Sequence, residues 1–128
     1  MPAERVPLEL HLDAMSSDER AIWDRFVELV EAAGPSEMIV TKSRIAFRAA
    51  HRIFAGGFFK SRRLELFFDL AEPVPERQRD ERFRQVWEHA PRLWTHRLKI
   101  ENVDELDEKL GKWLAESWAT YSKPPEDR

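Results

Sequence analysis

The sequence predicts an α+β domain in which an antiparallel sheet of about 4–5 strands carries helices packed mainly on one face. Two segments, 17–33 and 103–120, repeat apolar residues at the spacing of an amphipathic helix. Between them, several short segments alternate apolar and polar residues, which is typical of strands with one buried face. The connections are too short for the helical crossovers of parallel strands, so we expect antiparallel pairing.

The first helix has both a start and a stop signal. Ser16 and Glu19 have the spacing of a capping box, in which each side chain accepts a hydrogen bond from the other residue's backbone N–H. Gly34 and Pro35 then end the helix. Ahead of it, the leucines of segment 8–12 alternate with polar residues and predict a short strand or an arm lying on the domain.

The strands follow from alternation and from the residues that interrupt it. Gly56 and Gly57 are expected to bend the segment 53–59 into a hairpin, because glycine tolerates backbone angles that other residues avoid. Pro73 and Pro75 prevent the continuation of the most regular strand. The predicted strand segments are 38–40, 45–49, 53–59, 64–70 and 94–100.

A further helix is predicted over 79–89, because Phe83, Val86 and Trp87 recur at helical spacing and Pro91 follows. The last helix, 103–120, is expected to begin with a cap at Asn102. Residues 122–128 are predicted to form a frayed tail.

The composition limits the classes of protein to which this chain can belong. At 128 residues, with 42% hydrophobic and 35% charged residues, the chain is expected to form one domain over 1–128 with its core in 8–121. The absence of cysteine excludes disulfides and thiolate zinc sites and favours a cytoplasmic location. No uncharged run approaches the ~20 residues of a membrane span, so no membrane association is expected.

Charge is distributed unevenly along the chain. Segment 38–64 has seven basic residues and no acidic one, whereas 1–37 and 65–128 are acidic. Alternation places several bases on the polar face of the sheet beside an exposed Phe67, which predicts a binding module for nucleic acid or a phosphorylated ligand. The predicted binding residues are Lys42, Arg44, Arg48, Arg62, Arg63, Arg97 and Lys99. The alternative is that these bases pair with the acidic helices, and the sequence pI of about 5.8 argues against strong nucleic-acid binding.

Two other functions stay open. Trp23 and Trp118 lie beside the apolar stripes of their helices, so exposed tryptophans are a candidate surface for a protein partner or homodimer. An enzyme would need Thr41, Lys42, His51 and His96 to converge in one pocket. The spacing of these residues along the sequence does not require them to do so. The sequence therefore favours a binding module over an enzyme, with no assigned catalytic residue.

Motifs for metals and cofactors are missing. His89 and His96 are seven residues apart, and no His, Asp and Glu spacing matches a metal-ligand set. Glu65 and Asp69 share a strand face, but the Glu-x-Lys that would support a nuclease site does not follow them. We expect neither a metal nor a cofactor.

Three segments carry a resemblance to a known family. The run Thr-Lys-Ser-Arg-Ile-Ala-Phe at 41–47 is followed by Phe54-Ala55, then by His96-Arg97-Leu98-Lys99 and by Trp-Leu-Ala-Glu at 113–116. This pattern resembles a family of small bacterial α+β domains of unknown function, sometimes attached to restriction or nuclease-type proteins. The resemblance spans roughly 8–121 and implies a compact α+β domain without known catalytic residues. Some relatives carry a cysteine-rich segment, which this chain lacks.

Overall fold

In the computed structural model, which describes residues 4–128, one antiparallel sheet of six strands packs against two long helices. The strands lie in the order β1-β2-β3-β4-β6-β5, with every neighbouring pair antiparallel. They are β1 (Glu37–Val40), β2 (Ile45–Arg48), β3 (Ile53–Lys60), β4 (Arg63–Leu70), β5 (Phe83–Ala90) and β6 (Leu93–Ile100). The helices are α1 (Glu9–Leu12), α2 (Ser17–Ala33) and α3 (Glu108–Tyr121). The predicted α+β class is therefore confirmed, with six strands rather than 4–5.

Helix α2 begins and ends where the sequence predicts. Ser16 Oγ accepts a hydrogen bond from the Glu19 N–H at 3.1 Å, and the Glu19 carboxylate accepts one from the Ser16 N–H at 2.9 Å. Gly34 follows the helix with φ at 150°, a conformation that side chains disfavour. A Cβ atom at Gly34 would also lie 2.3 Å from the Trp118 ring, so glycine is required here for two reasons.

The helix predicted over 103–120 is in fact two elements. A single 3₁₀ turn, Val103–Glu105, follows the cap at Asn102. Helix α3 starts later, because Asp107 Oδ1 accepts a hydrogen bond from the Leu110 N–H at 3.0 Å and so caps the true first turn.

The prediction of a helix over 79–89 is wrong, because most of this segment is strand β5. Its pairing with β6 is irregular between Phe83 and Gln85 and again between Glu88 and Ala90. The first irregularity adds a residue to β5, so Phe83 and Val86 point to the same side of the sheet although they are three positions apart, whereas Trp87 points to the opposite side. The bulge therefore produced the three-residue spacing that resembled part of a helix.

The hairpin predicted at Gly56 and Gly57 is also wrong. Strand β3 runs straight through both glycines, and the chain reverses at Ser61 and Arg62 instead. Both turn residues have left-handed backbone angles, with φ at 53° and 67°. Two such residues form the tight turn that matches the twist of adjacent antiparallel strands.

The two ends of the described chain pack onto the sheet and α3. Segment 8–12 forms α1 rather than a strand, while the preceding Arg5 forms a β-bridge with Thr41. The tail predicted to fray contains a 3₁₀ turn, Pro125–Asp127, and the Arg128 guanidinium lies 4.9 Å from the centroid of the Tyr121 ring.

Helices α2 and α3 cover the same face of the sheet. Trp23 of α2 stacks on Phe47 of β2, with ring centroids 6.0 Å apart, and Trp113 of α3 stacks on Phe68 of β4 at 5.9 Å. The hydrophobic core lies between these two layers. We call the opposite side of the sheet, where the intervening side chains of each strand point, the open face.

Candidate functional site

The open face contains three rows of side chains that are aligned by the strand register. Consecutive rows are two residues apart along each strand, or about 7 Å. The rows, read across the sheet, are Phe58–Glu65–Lys99, Gly56–Phe67–Arg97–Gln85 and Asp69–Thr95–Trp87. Aromatic, cationic and acidic groups are thus placed side by side on this face.

These rows surround a pocket of about 370 Å³, which we call the open-face pocket. Its volume falls in the range of ligand pockets, roughly 300–1,000 Å³. Its charged and aromatic lining residues are Arg44, Arg52, Phe58, Glu65, Phe67, Asp69, Trp87, His89 and Arg97. The pocket therefore has three guanidinium groups and two carboxylates in its wall.

Two of the guanidinium groups lie on aromatic rings. The Cζ atom of Arg44 is 5.0 Å from the centroid of Phe67, and that of Arg97 is 5.6 Å from the centroid of Phe58. Each contact is worth about 0.5–1 kcal/mol at a partly exposed site. Within residues 4–128, neither guanidinium forms a salt bridge or a side-chain hydrogen bond. Their N–H groups therefore have no partner among the side chains of residues 4–128.

Gly56 makes room for the Phe67 ring. A Cβ atom at Gly56 would lie 2.8 Å from a carbon of that ring and 2.7 Å from the carbonyl oxygen of Ile45. Both distances are shorter than real Cβ contacts, so a side chain here would displace Phe67. The glycine predicted to bend the strand instead shapes the pocket.

Asp69 lies in the wall of the pocket with its side chain only 6% exposed. Its Oδ2 atom is 3.4 Å from Nη2 of Arg52, and in the described chain its Oδ1 atom has no hydrogen-bond partner. Burial raises the pKa of Asp69, against the opposing effects of the Thr95 hydroxyl and the Arg52 guanidinium. The Ser117 hydroxyl of α3 bonds to the Asp69 carbonyl oxygen and fixes this end of β4.

Glu65, two rows away, is the second buried carboxylate of the pocket. Its side chain is 4% exposed, and its Oε1 atom lies 3.6 Å from Nε of Arg63. Oε2 of Glu65 and Nε of Arg63 both lack a hydrogen-bond partner in the structure of residues 4–128. These two unsatisfied groups are neighbours, so a small side-chain movement is enough to pair them.

No family model matches this chain, and comparisons with curated proteins and with solved structures find no significant match. The resemblance to small bacterial domains of unknown function accordingly stays a prediction.

The predicted basic band is divided in space. Arg44 and Arg97 reach the open-face pocket, whereas Lys42 and Arg62 line a separate hollow beside α1. Arg48 lies in a shallow depression next to Trp118. The other two predicted residues have acidic neighbours, since Arg63 faces Glu65 and Lys99 pairs with Glu101 at 3.3 Å.

The groups proposed for an enzyme pocket do not meet. Thr41 follows β1 in the hairpin to β2, and His51 lies in the turn at the other end of β2. His96 is on β6, four strand positions from β1, or about 19 Å across the sheet. His96 is also fully buried on the helix-covered face, where its Nε2 accepts a hydrogen bond from the Val74 N–H at 2.9 Å.

The tryptophans do not form an exposed surface. Trp23 is 2% exposed, so the interpretation that it lies beside the buried stripe is wrong. Trp118 packs against the core, and its indole N–H donates to the Pro35 carbonyl oxygen at 2.8 Å. In the part of the chain that the structure describes, the large apolar residues classed as exposed are Leu10 and Val103.

The predicted binding residues do not include Arg52, Trp87 or Asp69, all of which line the pocket. Trp87 was not assigned to the open face because its segment was predicted as a helix. Arg52 was not assigned to it because it lies between two strands. The signal that could have found Asp69 was its parity with Glu65 and Phe67 on the most regular strand. Across residues 4–128, no group of three or more His, Asp or Glu side chains gathers as metal ligands, and no helix is long and apolar enough to cross a membrane.

Proposed function

We propose that this protein is a binding module whose open-face pocket binds a ligand that carries a phosphate group and a planar ring. The observation behind the proposal is the pair of guanidinium groups of Arg44 and Arg97, each on an aromatic ring and neither in a salt bridge within residues 4–128. A cation held on a ring has already lost side-chain freedom, so an incoming phosphate gains a charge-assisted hydrogen bond at a reduced entropic cost.

The aromatic groups support a ligand with a planar part. Phe58, Phe67 and Trp87 line the pocket, and each is only partly buried. Stacking of a nucleobase on such a ring contributes about 1–3 kcal/mol per base. Arg97 shares a row with Phe67, and Phe58 and Trp87 lie in the two neighbouring rows, about 7 Å away, a spacing that suits a nucleotide.

The two buried carboxylates argue for a small ligand rather than a long polyanion. Glu65 and Asp69 offset two of the three positive charges from Arg44, Arg52 and Arg97. The local excess is therefore small, as the acidic composition of the chain also indicates.

The test is equilibrium binding of the purified full chain to a labelled mononucleotide and a short labelled single-stranded oligonucleotide at low salt. The double variant Arg44→Ala with Arg97→Ala is expected to lose at least about tenfold in affinity, since a hydrogen bond to a charged group is worth about 1.5–3 kcal/mol. The matched control combines Arg20→Ala, which removes an exposed arginine of α2, with Arg5→Ala near β1. Equal binding by the two double variants would contradict the proposal, as would no binding by the wild-type protein.

A further inference from the structure

Asp69 has unused capacity to accept hydrogen bonds inside the open-face pocket. A carboxylate has about four acceptor sites, and the neighbouring Thr95 hydroxyl and Arg52 guanidinium fill at most two of them. Oδ1 has no hydrogen-bond partner among the residues described, although its side chain is only 6% exposed. A buried acceptor left unpaired costs about 1–3 kcal/mol, so this atom is a place where a ligand can supply the missing donor.

The protein's own donors nearest this carboxylate are the Thr95 hydroxyl, opposite Asp69 in the strand register, and the Arg52 guanidinium. Arg52 already donates from Nε to the Ile53 carbonyl oxygen at 3.2 Å, and its Cζ lies 5.2 Å from the centroid of the Tyr121 ring. Glu65 differs, because the unpaired Nε of Arg63 lies beside it and can satisfy its carboxylate. Of the two buried acids in the pocket, Asp69 therefore keeps acceptor capacity that a ligand can use.

The surroundings of Asp69 select the kind of donor. Asp69, Thr95 and Trp87 form one row of the open face, and Phe67 is in the next row. The carboxylate is therefore recessed, with Thr95 and Arg52 as its polar neighbours and aromatic side chains beside them. An N–H group on the edge of an aromatic ring fits this arrangement, because the ring stacks while its edge donates.

We propose that the nucleotide bound in the open-face pocket carries a base with an exocyclic amino group, and that Asp69 accepts a hydrogen bond from that group. This inference rests on the proposed function and adds the identity of the base edge. Arg44 and Arg97 hold the phosphate, Phe67 and Trp87 contact the ring, and Asp69 distinguishes amino-bearing bases from bases without the group.

The test compares nucleotide pairs that differ only by one amino group. GMP is compared with IMP, and AMP with the 5′-monophosphate of unsubstituted purine riboside, each by calorimetry with wild-type protein. We expect the amino-bearing member of at least one pair to bind about fivefold or more tightly, the lower end of discrimination by a well-placed base contact. Asp69→Asn should abolish that preference, whereas Asp24→Asn, which neutralises an exposed acid of α2 outside the pocket, should preserve it.

The outcomes separate this inference from the proposed function. Equal affinity within both pairs, or a preference that survives Asp69→Asn, overturns the role of Asp69 while leaving phosphate binding by Arg44 and Arg97 intact. Failure of every nucleotide to bind overturns both. Asp69→Asn is expected to fold, because it keeps the shape of the side chain and removes a charge whose burial is costly, and a thermal melt checks this.

The same variants identify the source of the nucleotide. If it belongs to a single strand, short oligomers of the preferred base should bind more tightly than the mononucleotide and should show the same loss in Asp69→Asn. If it is a free nucleotide, extending the strand should not increase the affinity. Both results support amino-group recognition by Asp69 and differ only in the source of the ligand.

Discussion

At the scale of single residues, buried ionisable groups differ in their hydrogen bonding between the two faces of the sheet. On the helix-covered face, His96 has partners for both ring nitrogens: the Val74 N–H donates to Nε2, and Nδ1 lies 3.4 Å from the Phe68 carbonyl oxygen. On the open face, Asp69 has an oxygen without a partner in the described residues. The first pattern is that of a core residue, and the second is that of a binding site.

The neutral state of His96 leads to a prediction about stability and pH. Burial lowers the pKa of His96 to about 4, whereas an unfolded histidine titrates near 6.5. As the pH falls from about 6.5 to 4, the unfolded chain gains a proton that the folded protein does not, so the free energy of unfolding decreases, by about 3 kcal/mol in total. Above pH 6.5 this contribution is fully present.

The measurement is chemical denaturation of the wild-type protein and of His96→Gln at several pH values in this window. Glutamine keeps an acceptor for the Val74 N–H but does not titrate, so the variant should lose less stability on acidification. An identical pH dependence for both proteins would show that other groups are responsible. Asp69 acts in the opposite direction, because its pKa is raised and its protonation stabilises the folded state as the pH falls.

At the scale of elements, the sequence correctly predicts features that depend on local signals. It mispredicts features that depend on how the strands pair. Helix α2 is predicted because its capping box and apolar stripe are local. Strand β5 is missed because bulges shift its alternation, and the β3–β4 turn because Ser61 and Arg62 adopt angles typical of glycine or asparagine. Gly56 marks a close approach of the Phe67 ring, which belongs to a different strand.

One side chain joins the elements at the far edge of the sheet. Arg82, 7% exposed, pairs with Asp80 through Nη2 at 2.8 Å and with Asp107 through Nη1 at 3.0 Å. Its Nη1 also donates to the Glu105 carbonyl oxygen at 2.7 Å. The hydrogen bond from Arg82 holds the pKa of Asp80 below its usual value. The start of β5, the 3₁₀ turn and the cap of α3 are thus linked through one guanidinium.

We expect Arg82→Ala to lower the free energy of unfolding by about 2–3 kcal/mol. Breaking a fully buried ion pair costs about 3–5 kcal/mol, and the partial exposure of Asp80 and Asp107 reduces that figure. The control is Arg20→Ala, whose exposed pair with Asp24 is worth about 0.3–0.5 kcal/mol. Urea denaturation measures both, and a difference smaller than about 1 kcal/mol would contradict a structural role for Arg82.

At the scale of the whole molecule, the candidate site is partly predictable because charge and strand parity are visible in sequence, whereas burial is not. The sequence indicates that Arg44 and Arg97 share the polar face with Phe67, and the register places Phe67 and Arg97 in one row. It does not reveal that Lys42 and Arg62 lie at a different hollow. The protein around this small pocket of guanidinium groups is acidic overall, with a net charge of −3.

This distribution predicts a weak dependence of oligonucleotide binding on salt. Each phosphate neutralised on a single strand contributes about −0.7 to the slope of log affinity against log salt, so three guanidinium groups give a slope no steeper than about −2. Titrations of a short single strand over a range of salt concentrations measure it, and the double variant Arg44→Ala with Arg97→Ala should flatten the line. A slope beyond about −4 in the wild-type protein would mean that many cations outside the pocket contact the strand, because the pocket alone cannot release that many counterions.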